Sequence, residues 1–165
     1  MENPLNIVID TREQTPWAWE SHLVHTTVQG LYVCDYALAE DTVEVPNSKR
    51  LRVSFAIERK NLDDFLGTIG SGWETFSEEL KGMEDFPARI IIVEGDFESC
   101  CFHEEMGIVF PPDHNHSQIT PQFASKRIGE LLMMGVSVLF AGNAHLAAAL
   151  AYVIFKQRSE QNNGT

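Results

Sequence analysis

The stretch Arg50-Leu51-Arg52-Val53-Ser54-Phe55-Ala56-Ile57-Glu58-Arg59-Lys60-Asn61-Leu62-Asp63-Asp64 decides how the chain is read. From Arg50 to Glu58 it alternates. Leu51, Val53, Phe55 and Ile57 face one way, while Arg50, Arg52, Ser54, Ala56 and Glu58 face the other. Period-two alternation predicts a β-strand with one apolar face. The same period puts Glu58 and Lys60 on one face at the end of that strand, bracketing Arg59.

Upstream, Leu5 to Asp10 holds the short continuous apolar run Ile7-Val8-Ile9, which suits a strand buried on both faces. Glu13 to Pro16 reads as a turn. Leu23 to Val28 and Leu31 to Leu38 read as strands separated at Gly30, and Asp41 to Lys49, with Pro46 and Asn47, as an exposed hairpin tip. Downstream, Trp73, Phe76, Leu80 and Met83 recur at helical spacing with Glu74, Glu78 and Glu79 off the stripe. Arg89 to Glu94 predicts another buried strand, Ala124, Ile128, Leu131 and Leu132 a helical face, and Val136 to Phe140 a late strand. A final helix is expected from about Asn143 to Arg158, apolar on nearly every side and read as core rather than as a homodimer seam. Antiparallel strands followed by helix, strand and helix predict an α/β fold, a central mixed β-sheet flanked by α-helices.

The chain has 165 residues, which suits one domain, with the chemistry-bearing residues in its first 95 or so and a helix–strand–helix unit at about 121–158. Its 24 acidic and 12 basic residues give a net charge of −12. That balance argues against a protein that coats nucleic acid, because such affinity comes from Lys and Arg neutralising phosphates. It leaves room for an enzyme whose carboxylates hold cations. No signal peptide or membrane span is legible, and an odd set of three cysteines, two adjacent, argues against a disulfide framework. The expected location is cytoplasmic.

Polar residues at the ends of apolar strands carry the chemical information. Asp10 closes the first strand and is followed by Arg12 and Glu13. Asp35 sits within the apolar run Tyr32-Val33-Cys34-Asp35-Tyr36. Carboxylates such as Asp35 and Glu58 can hold Mg²⁺ through oxygen, and a neighbouring lysine can orient or help deprotonate an attacking water and stabilise negative charge developing on a phosphate. From the residues alone, a Glu–Lys pair at a strand end is more often a solvated edge, and Asp35 can simply accept backbone N–H groups.

Taken in order, Ile7-Val8-Ile9-Asp10-Thr11-Arg12-Glu13, Asp35-Tyr36 and Glu58-Arg59-Lys60-Asn61-Leu62-Asp63-Asp64 resemble the XPF-type nuclease domain. That family's pattern is an apolar strand ending in Asp-x-Arg-Glu, then Gly-Asp-Tyr, then Glu-Arg-Lys with Asp after three more residues. The segment Trp73 to Leu80 looks like the family's next helix. The resemblance covers about residues 5–95 well and the rest in its pattern of elements. It implies a restriction-endonuclease-like core of the PD-(D/E)XK class, with Asp35 and Glu58 as main metal ligands, Asp10 as a further one, and Lys60 as the catalytic lysine. Arg12, Glu13 and Arg59 would complete the site, with Asp64 fixing local structure or supporting Arg59. The implied activity is Mg²⁺- or Mn²⁺-dependent hydrolysis of DNA phosphodiesters at branched, flap or junction structures. The alternative implied is a non-catalytic DNA-binding or scaffold subunit of a nuclease complex. Cys34 stands where the family usually has Gly. The family's tandem helix-hairpin-helix domain has no counterpart after Glu94, so a homodimer or a partner subunit is expected to supply DNA grip, and the compactness fits a phage or mobile-element source.

Five of the twelve basic residues, Lys49, Arg50, Arg52, Arg59 and Lys60, fall between positions 49 and 60. Lys49, Arg50 and Arg52 are the expected DNA contacts, although Lys49 and Arg50 would equally solubilise a hairpin tip. A competing site is Cys100, Cys101 and His103 with His114 and His116, whose spacing fits no ordinary zinc pattern. A polar loop is the expectation there.

Overall fold

The computed structural model describes residues 3–101, 103–105, 108–110 and 119–164. Strands β1 (Leu5–Ile9), β2 (Val24–Val28), β3 (Gly30–Leu31), β4 (Tyr36–Leu38), β5 (Thr42–Val43), β6 (Arg50–Val53) and β7 (Ala56–Asn61) come first. Helices α1 (Leu62–Ile69) and α2 (Trp73–Lys81) come next. Then come β8 (Arg89–Glu94), the short α3 (Phe97–Cys101), a hairpin of β9 (His103–Glu105) and β10 (Ile108–Phe110), α4 (Pro121–Met133), β11 (Val136–Phe140) and α5 (Ala144–Asn163). The central sheet runs β11-β8-β7-β4-β1-β2, and β3-β6-β5 form a smaller sheet. The fold is the mixed sheet flanked by helices that the sequence predicts.

Several local expectations are corrected. The alternating stretch is two strands: the chain bends at Ser54-Phe55, passing from the small sheet into the central one. From the bend into β7, Phe55, Ala56 and Ile57 are buried in succession, because β7 is central and covered on both faces. The predicted strand Leu31 to Leu38 is likewise broken, and Asp35 lies in the bend between β3 and β4. Strands β1 and β2 pair in parallel, not antiparallel, with Leu5 opposite Val24. The crossover that a parallel pair needs is residues 10–23, which buries Trp17 in the core. The expected hairpin tip is shorter, since Asp41 is buried and ion-paired to Arg158 at 2.7 Å, and Thr42–Val43 is a strand. Helix α1 escaped the sequence reading, although Asn61 caps it by accepting the Asp64 N–H at 2.8 Å.

Alternation sorts the sheet's side chains into two cores. Val8, Ala37, Ala56, Ile91 and Val93 pack on the side of α1, α2 and α4, against Phe65, Leu66, Phe76, Leu80 and Leu131. Ile7, Ile9, Tyr36, Ile57, Ile90 and Ile92 pack on the side of α5, against Trp17, Ala147, Ala151 and Phe155. Parity extends the same division to the charged end of β7: Glu58 and Lys60 share the α2 side with Ala56, and Arg59 shares the α5 side with Ile57. Among the described residues, no helix is long and apolar enough to cross a membrane.

Candidate active site

Asp10 directly follows strand β1 and is 1% exposed. Its carboxylate accepts the Arg12 N–H at 2.8 Å, Arg12 Nε at 2.6 Å and the Leu31 N–H at 2.5 Å. Burial alone would raise its pKa, but these donors outweigh burial and hold it below the usual carboxylate range. The Asp10 N–H donates to the Asp35 carbonyl at 2.8 Å, and the Asp35 N–H to the Ile57 carbonyl at 3.2 Å. Asp35, although in a bend, is thus laced between β1 and β7. The strand breaks just before it because Cys34 takes a φ of 62°, the left-handed region that suits glycine. The Cys34 thiol is buried 3.1 Å from the Met83 sulfur, and burial pushes its pKa up.

On the α2 side of β7, Lys60 Nζ donates to Glu58 Oε1 at 2.6 Å and lies 5.8 Å from the centre of the Phe76 ring. On the opposite side Arg59 is a clamp. Its Nε and Nη2 reach Glu94 at 2.7 and 3.1 Å, and its Nη1 reaches Thr15 O at 2.6 Å and Glu13 Oε1 at 2.9 Å. Glu94 also accepts Trp17 Nε1 at 2.5 Å, while Glu13 accepts the Tyr36 hydroxyl at 3.2 Å. Trp17 and Tyr36 stack with ring centres 4.4 Å apart. The Arg59 N–H meanwhile donates to Asp35 Oδ2 at 2.8 Å. One residue therefore ties the second carboxylate to the sheet through its backbone and the loop 13–17 through its side chain.

Two adjoining clefts open here. An outer one of about 450 Å³ is lined by Glu13, Thr15, Arg59, Asn61 and Asp64, and an inner one of about 230 Å³ by Tyr32, Glu58, Phe76, Glu79 and Met83; Arg12, Asp35 and Lys60 line both. Burial and the charge of Glu58 push the Asp35 pKa up to about 7. Burial pulls the Lys60 ammonium down, but Glu58 and then Asp35 outweigh it, and its pKa is raised. Lys60 is therefore cationic at neutral pH.

The structure brings Arg12, Asp35, Glu58 and Lys60 together as the sequence reading expects. Arg59 and Glu13 meet on the far face of β7, and Asp64, in the first turn of α1, accepts Nδ2 of the capping Asn61 at 2.8 Å. Asp35 and Glu58 fit a divalent cation: both are oxygen donors facing one cleft, and their mutual repulsion is what a cation relieves. Asp10 fits less well, with its carboxylate held by three N–H donors, and among the described residues no three His, Cys, Asp or Glu converge as a ligand cluster. Lys49, Arg50 and Arg52 are exposed. Arg50 pairs with Gly30, beside Thr11. Of the zinc candidates, Cys100 and Cys101 are buried, while His114 and His116 lie outside the described residues. Glu94 and Glu79 escaped the sequence reading as site residues. Glu94 had a signal, an acid ending an apolar strand just as Asp10 does.

The family model described as the ERCC4 domain matches residues 9–153, well beyond the motif-bearing first 95. Two solved structures share the fold. "XPF from Aeropyrum pernix, complex with DNA" is 19% identical with a TM-score of 0.63, covering 96% of this chain and 66% of that one. "XPF from Aeropyrum pernix" is 17% identical with a TM-score of 0.61, covering 93% and 61%. The chain thus spans somewhat less than two thirds of those proteins' length. No curated protein matches the sequence.

Proposed function

The chain belongs to the ERCC4 domain family, and on that premise we propose that it is a Mg²⁺- or Mn²⁺-dependent DNA endonuclease, selective for branched, flap or junction DNA. The observation that carries the reading is the gathering of Asp35, Glu58 and Lys60 around one cleft, with Lys60 Nζ 2.6 Å from Glu58. Asp35 and Glu58 would hold the cation, which when bound supplies Lewis-acid stabilisation of the phosphate and a more acidic water. Mg²⁺ takes one or two protein carboxylates and completes its shell with water and substrate phosphate, so two ligands suffice. Lys60, being cationic, donates to the phosphate oxygens where negative charge grows, and does not itself remove a proton from water. Arg12 stands at the cleft as a second cation. Arg59, Asp10 and Asp64 act on the scaffold: Arg59 and Asp10 hold Asp35 through their backbone N–H groups, and Asp64 fixes the first turn of α1 through the capping Asn61. The whole chain would form one nuclease domain, with grip on DNA strengthened by a second copy or a partner.

The test is incubation with forked, flapped, junction and duplex DNA in Mg²⁺, Mn²⁺ or EDTA. Wild type should cleave only with metal, and Glu58→Gln and Lys60→Ala should each lose at least about 100-fold in rate while keeping the native circular dichroism. Cleavage that survives both substitutions removes the site assignment. Binding without cleavage on every substrate would instead favour a DNA-binding scaffold subunit.

A further inference from the structure

We infer that Tyr32 is a base-stacking residue, holding the nucleotide next to the scissile phosphate at the mouth of the inner cleft. This rests on the nuclease reading above and names a substrate contact within it. Tyr32 lines the same cleft as Asp35, Glu58 and Lys60 and is 45% exposed, whereas Phe76, the other aromatic of that cleft, is 3% exposed and lies under Lys60. The ring is thus left about half in solvent at the edge of the cleft, where a flat ligand can reach it.

Its position is fixed rather than loose. The Tyr32 N–H donates to the Leu51 carbonyl at 3.0 Å, and its hydroxyl donates to Ser48 Oγ at 2.9 Å. Ser48 Oγ in turn accepts the Arg50 N–H at 3.0 Å. The ring is thereby tethered at both ends to the segment bearing Lys49 and Arg50, two exposed cations. An exposed, preorganised aromatic beside backbone-seeking cations is the pairing that single-stranded nucleic acid requires: cations meet phosphates, and the ring meets a base whose face is free. A base stacked in duplex has no face to offer. Tyr32 therefore favours an unpaired nucleotide at the cut, the chemistry of a splayed strand.

The experiment first maps the wild-type cut, then places 2-aminopurine in the nucleotide on either side of it. Fluorescence is read with Ca²⁺ in place of Mg²⁺, and steady-state cleavage is read in Mg²⁺. Wild type should quench one of the two positions. Tyr32→Ala should abolish that quenching and raise KM about fivefold to tenfold with little change in kcat, and Tyr32→Phe, which keeps the ring without the tether to Ser48, should retain most of the quenching with a smaller rise in KM. Quenching and KM that are unchanged in Tyr32→Ala overturn the inference, as does a Tyr32→Phe variant as impaired as Tyr32→Ala. In either case an active wild type leaves the nuclease reading standing; a wild type that cleaves no DNA overturns both together.

Discussion

Arg59 Nε meets Glu94 Oε1 across 2.7 Å, joining the ends of neighbouring parallel strands β7 and β8. The pair is only 13% and 11% exposed, and Glu13, also 13% exposed, completes it. Removing one member of such a cluster leaves buried charge without a partner. Arg59→Ala should therefore cost about 3–5 kcal/mol, read from the urea unfolding midpoint. Arg59→Lys should recover less than half, because an ammonium cannot reproduce the two-nitrogen grip on Glu94. A stability change of about 1 kcal/mol or less, the size of an exposed pair, would show the clamp to be ornamental.

The Asp35 carboxyl gives the metal-free protein a pH dependence of definite sign. Folded, it keeps its proton up to about pH 7, whereas its ordinary value is 3.8. Between those values the folded state binds more protons than the unfolded one, so the contribution of Asp35 to stability falls as pH rises and the deficit is complete above the upper value. In EDTA, Asp35→Asn should have a higher Tm than wild type at pH 8 and should lack this component of the slope. Millimolar Mg²⁺ should raise the wild-type Tm at pH 8 and leave that of Asp35→Asn unmoved. Equal metal responses in both proteins would remove Asp35 from the proposed ligand set.

Cys34 combines a left-handed backbone with a buried side chain, so two effects oppose each other there. Cys34→Gly relieves roughly 1–2 kcal/mol of backbone strain but empties the space beside Met83, and should fall within about 1 kcal/mol of wild type. Cys34→Val adds branching at a positive φ and should be the least stable of the series. The order wild type and Gly, then Ala, then Val in thermal unfolding is the expected one. Val as stable as Gly would show that the turn relaxes freely.

Lys49, Arg50 and Arg52 are exposed, and their expected contribution is to grip. Alanine at Lys49 and Arg50 should weaken DNA binding and reduce the slope of log affinity against log salt by about 0.9 for each phosphate no longer neutralised. Cleavage at saturating DNA should be nearly unchanged. An unaltered salt slope would return these residues to the role of solubilising a hairpin tip.

Much of the site was legible because strand parity is a local rule. The Glu58–Lys60 contact follows from a spacing of two, and the buried runs Ile7-Val8-Ile9 and Ile90-Ile91-Ile92-Val93 mark central strands. What escaped was non-local. Nothing in residues 50–58 says that the chain leaves one sheet for another at Ser54, since both halves keep an apolar residue at every second position. The hold on Asp10 is equally hidden, because two of its three donors, the Arg12 and Leu31 N–H groups, are backbone atoms that every sequence possesses. Glu94 was passed over because its partner lies 35 positions away. The helix α1 was missed despite its Asn61 cap, as its eight residues are too short for a periodic stripe to stand out.

The division of β7 into a face bearing Glu58 and Lys60 and a face bearing Arg59 makes the strand intolerant of length change in a particular way. One residue inserted between Ile57 and Glu58 would rotate the guanidinium into the acidic cleft and turn the lysine and glutamate toward Trp17, exchanging clamp and chemistry in a single event. Two inserted residues would preserve the faces but withdraw both from their partners by one pleat. Point substitutions can wear the site down gradually, but a change in the length of this strand can only replace it. The three consecutive residues work only in this register.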